Sequence, residues 1–272
     1  MITDKDAVAE VLAELLGGGK LANLSKDAIV YAQRLRIIDQ ERLAARLYFY
    51  NRLPLSERWV SKWPSYTRIL NYLDIEDTMN GQPQAIAGGF RPTQLDTNSP
   101  WVYWRRYSPK INSADLRTAI FKLYVSPVPH DVRSMFKAVA MCLASSDAIS
   151  FKVGASASGL LRPDKAVVYF DNYVALEAFS KQLLPHVSNL RSQGVPFSSQ
   201  LDDRGLLSWA IDPVWSKSRI GEKSWRQWIC SRLASFIVET SHTTSHEVEP
   251  WKLAVLKAHF SGFDTRNWLL KD

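Results

Sequence analysis

Three short apolar segments in the middle of the chain each carry basic or hydroxyl side chains at alternate positions, and they constrain the fold most. They are 120–125 (Ile-Phe-Lys-Leu-Tyr-Val), 149–153 (Ile-Ser-Phe-Lys-Val) and 165–170 (Lys-Ala-Val-Val-Tyr-Phe). Apolar runs of this length between turn residues are typical of β-strands. Because side chains alternate between the faces of a strand, Lys122 and Tyr124 are expected on one face. Pairing of neighbouring strands would bring Lys152 and Arg162 or Lys165 beside them, which predicts an anion site.

These lysines also have a simpler interpretation. A single lysine on a strand is most often a solvated residue on an outer face. Lys122 and Lys152, however, are embedded in strongly apolar runs, and lysine is almost never fully buried without a partner. The pattern therefore favours a shared polar site, with the solvated face as the alternative.

The remaining chain predicts helices around these strands. Helices are expected over 3–16, 25–36, 39–50, 131–143, 173–187, 223–239 and 249–260, and further strands over 101–107 and 206–211. Thr3, Ser25 and Asp39 are the expected N-caps. Gly-Gly-Gly-Lys at 17–20 lacks the preceding strand and the spacing of a phosphate-binding loop, so it is interpreted as the end of the first helix.

These elements predict an α+β fold. An N-terminal helical region, 1–95, is followed by an α/β unit with C-terminal helices, 96–272, in which a mixed β-sheet is flanked by helices. The boundary is placed in the segment 72–100, which is rich in Gly, Pro, Asn and Thr. Helical connections between successive strands favour some parallel pairing in this sheet.

Composition narrows the classes of function. There is no apolar run of 18 residues, so no transmembrane helix is expected, and the mixed-charge N-terminus argues against a signal peptide. Cys142 and Cys230 are predicted to be buried thiols in a cytoplasmic protein. A net charge of +7 suits an acidic ligand. Because acidic residues are interleaved with the basic ones, nucleic-acid binding is not expected.

The strand motifs resemble those of a known group of proteins. Lys122-Leu123-Tyr124 and the Phe-Lys segment at 151–153 match the layout of pathogen phosphothreonine lyases and of the lyase domains of lanthipeptide synthetases. The chain more closely resembles the Hop-type A family of type III effectors, which has relatives among separately encoded lanthipeptide lyase components. Segments 162–169 (Arg-Pro-Asp-Lys-Ala-Val-Val-Tyr) and 194–197 (Gly-Val-Pro-Phe) carry further matches.

The resemblance implies a phosphothreonine lyase-like fold and elimination of phosphate from phosphoserine or phosphothreonine of a precursor peptide, which leaves a dehydroamino acid. It implies neither a cofactor nor a metal. Lys152 is the expected base, and burial or nearby cations must then lower its pKa from about 10.4. Tyr124 is expected to donate a proton or a hydrogen bond, and Lys122 to polarise the carbonyl beside the acidic carbon.

Arginine and a further lysine complete the site that the resemblance implies. Arg162, Lys165 and Arg226 are the expected phosphate-binding residues, since guanidinium groups bind phosphate in bidentate fashion. The later arginines of the pathogen lyases have no clean match, and the candidates are Arg204, Arg219, Arg226 and Arg232.

The expected partners follow from the same chemistry. The sequence has no kinase motif set, so a separate kinase would supply the phosphorylated peptide, and the helical region could help to recognise a leader peptide.

The pathogen lyases have a histidine acid where this chain has Tyr124. That departure favours an alternative function, a non-catalytic protein that binds peptides or phosphopeptides on the same fold.

Histidines supply two weaker candidates. His242 and His246 are four residues apart beside Glu247, a spacing that suits a metal, but their Ser- and Thr-rich surroundings indicate a polar loop. His130 follows the first strand and is a candidate replacement for the missing acid. An exposed turn residue is the simpler interpretation.

Overall fold

The computed structural model describes residues 4–75, 85–86, 88–93, 100–106, 120–212, 224–241 and 248–271, with side chains from residue 10 onwards. The helices are α1 (Asp4–Leu16), α2 (Lys20–Arg34), α3 (Gln40–Tyr48), α4 (Glu57–Lys62), α5 (Tyr66–Tyr72), α6 (Val132–Leu143), α7 (Ala157–Leu160), α8 (Tyr173–Val187), α9 (Trp225–Ser241) and α10 (Pro250–Phe260). The strands are β1 (Phe90–Pro92), β2 (Trp101–Arg106), β3 (Phe121–Val125), β4 (Ser150–Gly154), β5 (Ala166–Phe170), β6 (Ser199–Gln200), β7 (Leu207–Ile211), β8 (Phe263–Asp264) and β9 (Leu269–Leu270).

Seven strands form one sheet in the order β1-β2-β4-β5-β3-β7-β6, and β8 pairs with β9 separately. The α+β fold is therefore confirmed. The expectation of parallel pairing is wrong for the described strands, because every neighbouring pair is antiparallel. The helix α6 does connect two strands of the same direction, β3 and β4, but β5 lies between them in the sheet. In the same way β3 lies between β5 and β7.

The N-caps predicted from the sequence are confirmed in part. Asp39 caps α3 as predicted, since its carboxylate accepts a hydrogen bond from the Arg42 amide at 2.9 Å. Ser25 is not a cap but lies inside α2, because the helix already begins after Gly19. Its hydroxyl accepts a 2.9 Å hydrogen bond from the Phe197 amide and so attaches α2 to the segment 194–197. Thr3 lies outside the described residues.

The two faces of the sheet contribute to two hydrophobic cores. Leu123, Phe151 and Val168 pack on one face with α6 and α8. Tyr124 and Val167 pack on the other face with side chains of α2, α3, α9 and α10. Residues before and after position 95 contribute to both cores. Separate domains over 1–95 and 96–272 stay a prediction.

Two expectations from composition can be compared with the described part of the chain. Cys142 and Cys230 are buried and form no disulfide, as predicted. None of the helices described has both the length and the apolar character that crossing a bilayer requires.

Candidate functional site

Antiparallel pairing lines up the predicted residues in two rows across one face of the sheet. Tyr124 lies opposite Val167, which in turn lies opposite Lys152, and Lys152 lies opposite Tyr103. In the next row, Lys122 lies opposite Tyr169. Residues directly opposite each other share a face. The alternation seen in the sequence therefore places Lys122, Tyr124 and Lys152 on one face.

Lys152 is half-buried and lies on this face between Tyr103 and Val167. Its Nζ lies 4.3 Å from the centroid of the Trp101 ring and 5.6 Å from that of Tyr169. Within the described part of the chain its ammonium group has neither a hydrogen bond nor an ion pair. Burial lowers the pKa of Lys152 to about 8; Asp164 raises it in part, whereas nearby cations lower it further.

Lys122 differs from Lys152 because it has a carboxylate partner. It is only 7% exposed, and its Nζ lies 2.5 Å from Oδ2 of Asp212, the residue that follows β7. The same Nζ lies 5.6 Å from the centroid of the Tyr169 ring. The two lysines thus approach one aromatic ring, and such contacts stabilise an ammonium group that has lost water.

Tyr124 supplies a hydroxyl to the same row. The residue is 3% exposed, and among the described residues its hydroxyl has no hydrogen-bond partner. Burial raises the pKa of Tyr124 well above its usual value, although Arg226 opposes this effect. The phenol therefore stays protonated at neutral pH and can donate a hydrogen bond, whereas it is a poor proton donor.

A buried carboxylate holds two arginines beside the lysines. Asp164 lies 2.8 Å from Arg162 Nε and 2.9 Å from Arg226 Nη1. Burial would raise the pKa of Asp164, but the two arginines hold it well below its usual range. Tyr48, at the end of α3, joins this group because its hydroxyl accepts a 2.6 Å hydrogen bond from Arg162. Its carbonyl oxygen accepts one of 2.8 Å from Arg226.

Positive charge exceeds negative charge in this cluster. The cations of Lys122, Arg162 and Arg226 are paired with two carboxylates, and Lys152 adds a further cation when it is protonated. Arg162 Nη1 has no hydrogen-bond partner among the residues described, so one edge of its guanidinium is left for a ligand. A phosphate monoester carries close to two negative charges at neutral pH, and the excess of cations suits such a group.

The ammonium group of Lys165 is bound by oxygen atoms within the protein. It is fully buried, and its Nζ lies 2.6 Å from the Pro127 carbonyl oxygen and 2.6 Å from Oε1 of Gln193. Burial lowers the pKa of Lys165 to about 7, although Asp164 opposes this effect. Arg226 is 1% exposed. Direct contact of these two side chains with phosphate stays a prediction.

The other sequence candidates lie away from the lysines or outside the described residues. His130 is exposed, with its Nε2 3.2 Å from Arg58 Nη2, and its ring packs on Trp59 of α4. Arg204 donates to the carbonyl oxygen of Leu190. Arg232 lies over the ring of Phe236 on α9. Arg219, His242, His246 and Glu247 lie outside the described residues.

Trp101, Tyr103, Asp164 and Asp212 belong to the site but were not predicted as members of it. Trp101 packs on Lys152, and Tyr103 donates a 2.9 Å hydrogen bond to Ser150 Oγ on the next strand. The aromatic residues of the predicted strand 101–107 were the available signal for these two residues. Asp164 was noted only as part of the matched segment 162–169, and Asp212 follows the predicted strand 206–211. The spacing of Arg162 and Asp164, two residues apart, was the available signal for the first carboxylate.

Comparisons with known proteins concern the fold. No protein-family model matches the sequence, and no curated protein matches it. An effector protein from Pseudomonas syringae pv. tomato strain DC3000 has a similar structure, with a TM-score of 0.52 and 13% identity over 91% of this chain and 97% of that chain. For an effector from P. syringae pv. syringae strain 61 the TM-score is 0.48 and the identity 14%, over 92% of this chain and 96% of that chain. For the phosphothreonine lyase OspF from Shigella flexneri the TM-score is 0.40 and the identity 15%, over 62% of this chain and 85% of that chain.

The similarity to the first effector extends over nearly the whole of both chains. This chain therefore has the fold of that effector, which confirms the fold family that the strand motifs predicted. The similarity concerns the fold, and any activity has to be argued from the side chains of the site.

Proposed function

We propose that the protein eliminates phosphate from phosphoserine or phosphothreonine residues of a peptide and leaves a dehydroamino acid. The observation that carries the proposal is the amine of Lys152. It has a pKa of about 8, has neither a hydrogen bond nor an ion pair among the described residues, and lies next to paired cations. A base and a phosphate-binding cluster on one face of a sheet are the parts that such an elimination needs.

In the first part of the reaction, the uncharged amine of Lys152 removes the proton from the α-carbon. With a pKa of about 8, about a tenth of Lys152 is uncharged at pH 7. The electron pair of the broken C–H bond forms the double bond between the α- and β-carbons. The bond between the β-carbon and the phosphate oxygen breaks, so that inorganic phosphate leaves with its electron pair and Lys152 keeps the proton.

The neighbouring groups would stabilise the charge that develops. Lys122 can polarise the peptide carbonyl beside the α-carbon, which makes the α-proton more acidic. Tyr124 can donate a hydrogen bond from a phenol that stays protonated. The unused Nη1 of Arg162 can bind a phosphate oxygen. Because these donors are fixed before the substrate arrives, little reorganisation is needed during the reaction.

Mass spectrometry of phosphopeptides tests the proposal. Wild type should remove about 98 Da of phosphoric acid per site, as elimination requires. Lys152→Met should remove none, while the exposed Lys181→Met serves as a matched control and should retain full activity. Elimination by Lys152→Met at the wild-type rate would exclude this lysine as the base, and no elimination by wild type from any phosphopeptide would count against a lyase.

The biological setting we propose is the modification of a precursor peptide in the cytoplasm, as in lanthipeptide biosynthesis. A separate kinase would supply the phosphorylated peptide, and the N-terminal helices would bind its leader. Elimination from a phosphorylated precursor should then be faster with its leader than without it. Equal kcat/KM values for the two forms would argue against leader recognition.

A second candidate function is non-catalytic binding of a phosphopeptide. The high pKa of Tyr124 favours it, because a phenol transfers a proton to a leaving phosphate less readily than a histidine does. Calorimetric titration distinguishes the two functions. Phosphopeptide binding without elimination, lost in Arg162→Met, would support the binding function.

A further inference from the structure

A concave region lies beside the candidate site, where α3 ends and the chain continues to residue 55. It has a volume of about 810 Å³, and its lining includes Arg42, Arg46 and Arg52. We call it the arginine groove. Arg42 and Arg46 are four residues apart on α3, so their side chains lie on the same side of the helix. Both are exposed, and Arg52 is half-buried.

These three arginines have no carboxylate partner. Within the described part of the chain none of them forms an ion pair. Asp39, which is close in sequence, accepts a hydrogen bond from the Arg42 main-chain amide and acts as the helix cap. The groove therefore carries positive charge that the described protein does not neutralise, in contrast to Arg162 and Arg226 at the site.

The groove adjoins the site through one aromatic ring. The guanidinium of Arg52 lies 5.5 Å from the centroid of the Phe49 ring, and that of Arg162 lies 5.3 Å from the same centroid. Phe49 is 40% exposed, and Leu55 at the groove is 52% exposed. A peptide bound at Arg162 can therefore continue over Phe49 into the groove.

We infer that the arginine groove binds acidic side chains of the substrate peptide that flank its phosphorylated residue. This inference rests on the proposed function, because it assigns the groove to the same peptide. Guanidinium groups bind carboxylates through two parallel hydrogen bonds, and the neighbouring apolar surface suits the aliphatic part of a glutamate side chain. The substrate class is thus a phosphopeptide with acidic neighbours.

A nucleic acid fits the groove less well. Single-stranded nucleic acids bind to basic grooves in which aromatic rings are free to stack on bases. Here Tyr31 and Tyr50 pack on each other, with their centroids 5.3 Å apart, and Arg52 lies over Phe49. The aromatic rings of the groove are engaged within the protein, whereas the guanidinium groups are not paired with acids.

The first experiment measures binding without requiring any chemistry. Fluorescence anisotropy would follow a short glutamate-rich peptide without phosphate, with a glutamine-rich peptide of equal length as its control. Wild type should bind the glutamate-rich peptide, and the variant Arg42→Gln/Arg46→Gln should bind it about tenfold more weakly, as expected for two exposed ion pairs. Arg68→Gln/Arg232→Gln, two exposed arginines elsewhere, makes the same change of net charge and should bind as wild type does.

The second experiment connects the groove to elimination. Arg42→Gln/Arg46→Gln should raise KM for a phosphopeptide with glutamates beside the phosphorylated residue and leave KM for a glutamine-flanked phosphopeptide unchanged. If wild type eliminates nothing, the proposed function fails, and anisotropy still decides the groove. Equal affinity of wild type and Arg42→Gln/Arg46→Gln for the glutamate-rich peptide would overturn the inference, as would tighter binding of a single-stranded RNA of equal length.

Discussion

Lys122 Nζ lies 2.5 Å from Oδ2 of Asp212, so an ion pair connects the middle of the sheet to the end of a neighbouring strand. The ion pair makes the two lysines on this face chemically different. The ammonium group of Lys122 is paired with a carboxylate, whereas that of Lys152 contacts only aromatic rings among the described residues and has a pKa of about 8. The charges of Lys122 and Asp212 act on Lys152 in opposite directions, since Lys122 lowers its pKa and Asp212 raises it.

The pH dependence of elimination should therefore move in opposite directions in two variants. For wild type, kcat/KM should rise with pH and level off above about 8, because the base is the uncharged amine. Asp212→Asn removes an anion and should move the midpoint to lower pH. Lys122→Met removes a cation and should move it to higher pH. The measurement is the midpoint of kcat/KM against pH, which is independent of any loss of rate; shifts of the same sign would contradict this electrostatic account.

Asp164 should matter most for stability. It is 6% exposed and lies between Arg162 and Arg226. Asp164→Asn would leave the buried Arg226 and the half-buried Arg162 without a carboxylate, and breaking a buried ion pair in this way costs about 3–5 kcal/mol. The free energy of unfolding in urea should fall by that amount, while Asp203→Asn, at an exposed position, should change it by less than about 0.5 kcal/mol. A loss of similar size in both variants would show that the arginines do not depend on Asp164.

The sequence predicted the face of the sheet better than it predicted the partners on it. Alternation along 120–125 correctly indicated that Lys122 and Tyr124 would share a face, because the period of two is a local property of a strand. Lys152 lies on the same face, as expected if neighbouring strands pair. The helix α8 also has the predicted bounds, since its apolar residues recur at helical spacing. Both features follow from residues that are close in the chain.

The long-range contacts were not predictable in this way. Strand order depends on which surfaces bury each other, and no local pattern indicates that β5 lies between β3 and β4. Lys165 lies in the segment 165–170 that was predicted as a strand, directly before β5. Its ammonium group is bound by Gln193 and by the Pro127 carbonyl oxygen, which no local pattern indicates. Asp212 pairs with Lys122 from ninety residues away in the chain. Alternation along a strand determines on which face a side chain lies, whereas the arrangement of the whole fold determines which groups it contacts.

Replacing Tyr124 should affect catalysis without affecting stability. Tyr124→Phe should lower kcat by about a hundredfold, the effect of removing one fixed donor from a developing negative charge. The hydroxyl has no hydrogen-bond partner among the described residues, so its removal leaves no known group unsatisfied, and the free energy of unfolding should change little. Single-turnover kinetics and urea unfolding give the two quantities. Unchanged kcat would remove Tyr124 from the mechanism and favour the binding function.

Lys165 should make stability depend on pH above neutrality. Its pKa is about 7 in the folded protein and about 10.4 in the unfolded chain. Between these values the unfolded chain holds a proton that the folded protein has lost, so the free energy of unfolding rises with pH, by up to about 1.4 kcal/mol per pH unit.

The test compares slopes, because Lys165→Met also loses the hydrogen bonds to Pro127 and Gln193, a cost that does not vary with pH. Urea unfolding of both proteins at several pH values from 7 to 9 gives the free energy of unfolding. The wild-type curve should rise more steeply than that of Lys165→Met, and the exposed Lys181→Met should keep the wild-type slope. Parallel curves for wild type and Lys165→Met would mean that the two carbonyl oxygens, each at 2.6 Å, hold Lys165 in its charged form throughout this range.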